Sequence, residues 1–191
     1  MRALLILALA LFAASADAGP RRRPDPMRPP RGLHVSLMEL DQACRRAMYA
    51  SADAQRCLDV TSRAPFNALA VISACDRAMY YDADALECIE AAVQSRRDTS
   101  AAVAACDRAM YYDSDVRECV GIAAANGWSG ELAAGAVAAC DRAMYYDADV
   151  KKCLAAALPL GGRAAEVVRY CDGARYYDSE AISCISQMGG R

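Results

Sequence analysis

CDRAMYYDAD stands at residues 75–84 and again at 140–149, and CDRAMYYDSD fills 106–115. Each copy opens on a cysteine, and each of those cysteines has a second one thirteen positions on. The ten cysteines pair in order as Cys44 with Cys57, Cys75 with Cys88, Cys106 with Cys119, Cys140 with Cys153 and Cys171 with Cys184, five times C-x12-C. Successive pairs begin 31, 31, 34 and 31 residues apart. A fixed period of this size denotes a repeat architecture, here of five units. The longer step places its extra residues in Asn126-Gly127-Trp128-Ser129-Gly130, whose composition marks a loop between pairs. Inside every pair the spacing is unchanged.

On one straight helix, sulfurs at that spacing would stand roughly 20 Å apart, far beyond disulfide reach. The chain must therefore reverse between them. Ala68, Val71, Ile72, Cys75 and Ala78 share one helical face before the reversal, and Ala85, Cys88, Ile89, Ala92 and Val93 share another after it. Repeats three and four follow with Val103/Cys106/Met110 then Val116/Cys119/Val120, and Val137/Cys140/Met144 then Val150/Cys153/Leu154. Six residues before each second cysteine stand Ser51, Asp82, Asp113, Asp147 and Asp178, predicted N-caps of a second helix. Asp53, Asp84, Asp115, Asp149 and Glu180, two positions later, suit the positive end of that helix. The predicted fold is all-α: five disulfide-stapled helical hairpins stacked as a short α-solenoid over 36–191.

Smaller signals agree. Ser36 to Glu39 reads as a capping box, Asp98 or Thr99 and Ser129 as later caps, and Leu158-Pro159-Leu160-Gly161-Gly162 as the stop after the fourth hairpin. Met48, Met79, Met110 and Met144 belong to the core, with Arg175 the departure in the last unit. Trp128 is expected to anchor its loop against the stack. The first and last units deviate most, as the caps of a stack do.

Much of the hydrophobic composition is alanine. Leu, Ile, Val and Phe together make up only about 16% of residues 36–191, below the level of a self-sufficient core. Cross-links must supply the rest. Zinc is the competing use of paired cysteines, but it favours close pairs or added histidines, and the single histidine, His34, lies outside the repeats. Pairing across units (Cys57 with Cys75, and so on) would strand Cys44 and Cys184, so pairing within units is preferred. A loop of this length closed by a disulfide is worth roughly 3 kcal/mol, and five such bonds compare with the 5–15 kcal/mol net stability of a typical domain.

The N-terminus reads as an export signal. Residues 1–18 hold one early arginine, an apolar run from Ala3 to about Ala14, and Ala16-Asp17-Ala18 before the expected cleavage site. Residues 19–35 are rich in proline and arginine, an extended, disordered, basic arm that suits weak contact with anionic surfaces. The chain carries −2 overall, so the body beyond this arm is mildly acidic, which disfavours nucleic acid as a partner. No further segment reaches membrane-spanning length. Periplasmic or secreted localisation is the expectation.

Arg77, Arg108 and Arg142 share one repeat position, and Tyr80-Tyr81, Tyr111-Tyr112 and Tyr145-Tyr146 share the next. Stacking would align them in rows fit for a protein or glycan partner. The competing and preferred expectation packs the tyrosines between units with their hydroxyls in water. Asp-x-Asp at 82–84, 113–115 and 147–149 is similar to the start of a calcium loop, but the turn glycine and closing glutamate are missing, so no metal and no cofactor is expected. Phosphate loops, nucleophile elbows and HExxH are absent from the sequence. The functional expectation is a non-enzymatic binding or scaffolding module, then a structural envelope or matrix component, and last a hydrolase using carboxylates alone.

Overall fold

A computed structural model describes residues 35–189. The export signal and nearly all of the basic arm lie outside the described residues. Ten α-helices are present within that range: α1 (Leu37–Ala47), α2 (Ser51–Thr61), α3 (Leu69–Ala78), α4 (Asp82–Val93), α5 (Ser100–Ala109), α6 (Asp113–Ala125), α7 (Gly130–Ala143), α8 (Asp147–Ala157), α9 (Ala164–Ala174) and α10 (Asp178–Gly189). A short 3-10 segment, Leu158–Arg163, joins α8 to α9.

Consecutive odd and even helices pair as hairpins. Each helix also packs on the equivalent helix of the next hairpin, so the odd helices form one layer and the even helices a second. This is the stapled hairpin stack expected from the repeat. All five disulfides close within their own hairpin, with Cα–Cα distances of 5.7–5.8 Å, and no free cysteine remains. Five such bonds fit an oxidising compartment. Among the described residues, no helix is long and apolar enough to cross a membrane.

The core is built from small groups. Ala74, Ala92, Ala102, Ala133 and Ala136 are buried between the layers beside Val71, Val103, Val120, Val137 and the cystines. Short side chains let the helices approach closely, and the cystines hold the pairs where little apolar area would. Met48, Met79, Met110 and Met144 are buried as expected, while Arg175 is exposed. Each of these methionines leaves its helix in extended conformation and donates its N–H to the carbonyl of the cysteine four residues back, at 2.9–3.1 Å. One residue type thus provides both the staple and the last acceptor of the helix.

Ser36 and Glu39 form the expected capping box. Other expected caps are corrected. Helices α4, α6 and α8 begin on the aspartate itself, the capping positions being Tyr81, Tyr112 and Tyr146, and no side chain caps them. The aspartates are engaged elsewhere, as described below. Ser129 occupies the capping position of α7 but its side chain makes no cap bond; the first amide, Gly130 N–H, donates to Asp98 O of the previous unit at 3.1 Å. Thr99 holds the capping position of α5 without a side-chain cap bond, its hydroxyl donating to the Ala92 carbonyl at 3.2 Å, while Asp98, one residue earlier, accepts from Ser100 N–H at 2.9 Å.

Trp128 is half-buried against the core and lies over Gly161, where φ is +65° and an added Cβ would come within 2.3 Å of the indole ring. The tryptophan of one outer loop is therefore seated on the backbone of the next, which is the anchoring role expected for it.

Candidate functional site

At the first four inner corners the chain passes from a buried methionine, and at the fifth from the exposed Arg175, through two residues into the next helix. In repeats two to five those residues are Tyr80-Tyr81, Tyr111-Tyr112, Tyr145-Tyr146 and Tyr176-Tyr177. The preferred expectation that they pack between units is overturned. The first tyrosine of each pair is 83%, 83%, 85% and 89% exposed along the chain, and the second is 63–64% exposed. The geometry of the corner explains why. In repeats two to four Met79, Met110 and Met144 fill the interior position, and the two residues that follow must carry the chain outside the stack before the next helix begins; the last corner, with the exposed Arg175, keeps the same outward path.

Within each corner the two rings meet edge to face, centroids 4.9–5.1 Å apart and planes at 85–88°. The near-identity of exposure and ring geometry from corner to corner means that one pose is repeated four times. The first repeat, with Tyr49-Ala50, carries a single and fully exposed ring.

The aspartates displaced from capping set the distance between corners. Tyr80 N–H donates to Asp113 at 2.9 Å, Tyr111 N–H to Asp147 at 3.0 Å and Tyr145 N–H to Asp178 at 3.0 Å. Asp82 accepts from both Tyr49 and Ala50 N–H, the latter at 3.1 Å. Each carboxylate therefore ties the corner behind it to its own helix start, where the helix dipole also favours its charge. The bond from Tyr111 to Asp147 spans the longer repeat without change, because the insertion sits in the outer loop at the other end of the hairpin.

A second set of links runs along the even layer. Arg56 pairs with Glu90 at 3.0 Å, Arg117 with Asp84 at 3.3 Å and with Glu87, and Lys151 with Asp115 at 2.7 Å and with Glu118. Hydrogen bonds to Asp115 first and Glu118 next hold the Lys151 ammonium above its ordinary pKa. Repeat five has Ile182 at the equivalent position, and Asp149 turns instead to Lys152 in its own helix at 2.8 Å. The acids at Asp84 and Asp115 thus do more than complement a dipole.

The arginines are exposed but do not join the tyrosines. Arg77 donates to the Ser73 hydroxyl at 2.9 Å and Arg142 to the Ala138 carbonyl at 2.9 Å, both one turn back along their own helices. Arg108 is exposed at the same position. The candidate row therefore separates into a tyrosine ladder at the corners and an arginine line beside it.

Two open grooves are also present. One of about 450 Å³ is lined by Val60, Arg63, Pro65, Val93 and Arg96 at the outer loops, and one of about 270 Å³ by Arg175, Glu180 and Gln187 at the C-terminal end. Among the described residues, no three of His, Cys, Asp and Glu come together to hold a metal ion. Compared with protein-family models, curated proteins and solved structures, this chain returned no match.

Proposed function

We propose that this is an exported, non-enzymatic binding module whose working surface is the ladder of tyrosine corners. The observation that carries the reading is the fourfold repetition of one exposed tyrosine pose, held at fixed register by the Asp113, Asp147 and Asp178 bonds. Large aromatic side chains left in water at regular intervals lose little conformational freedom on binding and supply most of the contact energy of recognition surfaces. Export rests on the signal-like residues 1–18, cleaved after Ala18, and on the disulfides, which persist in the periplasm or outside the cell. A protein or a glycan is the partner class, and the basic arm adds weak attraction to anionic surfaces.

The dense cross-linking favours a second reading, a structural component of an envelope or matrix. Capture experiments from envelope extract separate the two. A defined stoichiometric partner, lost when Tyr80, Tyr111 and Tyr145 become alanine, supports the binding module. Bulk insoluble association that survives those substitutions supports the structural role.

A further inference from the structure

We propose that the four tyrosine corners form a stacking track for a linear, β-linked, uncharged glycan, with about one pair of pyranose rings per repeat. The inference rests on reading the ladder as a binding surface and adds the chemistry of its ligand.

Spacing is the first argument. Equivalent helices of successive hairpins pack directly, which sets neighbouring corners about 8–10 Å apart. A pair of β-linked pyranose rings in an extended chain spans a comparable length. The corner-to-corner hydrogen bonds make this spacing a property of the backbone rather than of mobile side chains. A ligand that repeats in step with the ladder meets an equivalent ring at each advance.

Chemistry is the second. An aromatic face is electron-rich, and a β-linked pyranose presents axial C–H groups on its faces, so ring and sugar stack face to face. The edge-to-face partner in each pair fixes the more exposed ring without covering it. Beside the track Asp76 adjoins Arg77, Asp107 adjoins Arg108 and Asp141 adjoins Arg142, all exposed, while the corner carboxylates Asp113, Asp147 and Asp178 are held by backbone N–H groups rather than by cations. The corners therefore repel a polyanion, while both polar signs beside them are available to sugar hydroxyls.

Shape is the third. Peptide recognition uses pockets for anchor side chains, a free strand edge or an apolar groove. The corners project outward, the larger groove lies at the outer loops, and the smaller, lined by Arg175, Ser179 and Glu180, adjoins only the last corner. A projecting, evenly stepped row of rings suits a flat polymer that lies along it.

The oxidised full-length chain is titrated calorimetrically with chitin and cellulose oligomers, from disaccharide to octasaccharide. The expected result is affinity that rises steeply with length and levels off once all four corners are spanned. Replacing Tyr80, Tyr111, Tyr145 and Tyr176 together with alanine lowers octasaccharide affinity on the order of 10²-fold, as loss of linked sites does. Phenylalanine at the same positions retains it. These side chains are 83–89% exposed, so unchanged amide protection in the core confirms that the variants remain folded. Affinity independent of length, indifference to the alanine changes, or loss of binding in the phenylalanine variant overturns the proposal. If neither oligomer series binds, the glycan assignment fails. Stoichiometric, tyrosine-dependent capture of a protein in that case keeps the ladder as a binding surface, whereas no tyrosine-dependent capture at all removes both.

Discussion

Replacing Asp113 with alanine cuts one link between the second and third repeats and leaves every buried side chain in place. Its carboxylate accepts the Tyr80 N–H at 2.9 Å and sits at the first position of α6. A hydrogen bond to a charged group contributes about 1.5–3 kcal/mol, and partial exposure of Asp113 places this one at the lower end. The helix-start charge adds about 0.3–1 kcal/mol. The expected loss is therefore about 2 kcal/mol in urea unfolding with the disulfides intact. Asp113→Asn keeps an acceptor but not the charge, and should recover about half. Ser51→Asp is the control: among the described residues no hairpin precedes the one formed by α1 and α2, so the new charge meets only the helix dipole and gains at most about 1 kcal/mol. Hydrogen exchange gives the local readout, with the Tyr80 amide losing protection in Asp113→Ala while the Tyr145 amide keeps its own. An alanine variant that loses no more than the dipole contribution, or whose Tyr80 amide exchanges at the wild-type rate, would refute the linkage argument.

Three further outcomes are expected. Stepwise reduction with alkylation and mass mapping should open Cys171–Cys184 first, because Cys184 is 9% exposed at the C-terminal end of the stack while the other nine cysteines are fully buried. Gly161→Ala should destabilise by about 1–3 kcal/mol, since it overpacks the Trp128 ring and strains a positive φ; adding Trp128→Ala should return part of that loss, measured as a double-mutant cycle. Acid and alkali should act at different places. Bonds from the Ser36 N–H and hydroxyl hold Glu39 below its ordinary 4.5, so protection of the first turn of α1 is present above that pH and is lost as pH falls through the lower folded value. Lys151 is held above its ordinary 10.5, so its contribution is complete below that pH and disappears as pH rises through the folded value. Lys151→Met should flatten the alkaline limb of a thermal-unfolding profile.

Covalent spacing made the hairpin legible: thirteen residues between cysteines admit a disulfide only if the chain turns back between them. The buried methionines were equally readable, because they continue the apolar face that each first cysteine occupies. What the aspartates do was misread, since a helix start offers an acid two uses and the local sequence shows only one. A signal was present nonetheless. Asp82, Asp113, Asp147 and Asp178 are invariant across four units, and the exception, Ser51, stands in the unit with no predecessor. Serine can still cap there, so what the first unit lacks is the carboxylate, the group that a link to the hairpin behind requires. Arg117 and Lys151 carried a similar signal, each lying two residues before its second cysteine and facing acids one unit back. Exposure of the tyrosines was not readable, because two consecutive rings at a reversal satisfy either an interior or an exterior path until the methionine beside them is seen to take the interior one.

The undisturbed bond between Tyr111 and Asp147 shows that the two edges of the sheet-like stack obey different rules. One edge keeps strict step, and the other absorbs added chain, Gly161 of the next outer loop receiving the Trp128 of the insertion. A unit inserted between two others would meet the same Tyr donor on one side and the same Asp acceptor on the other. Gene-level copying of a single cassette would lengthen or shorten this protein's aromatic ruler by one mark at a time.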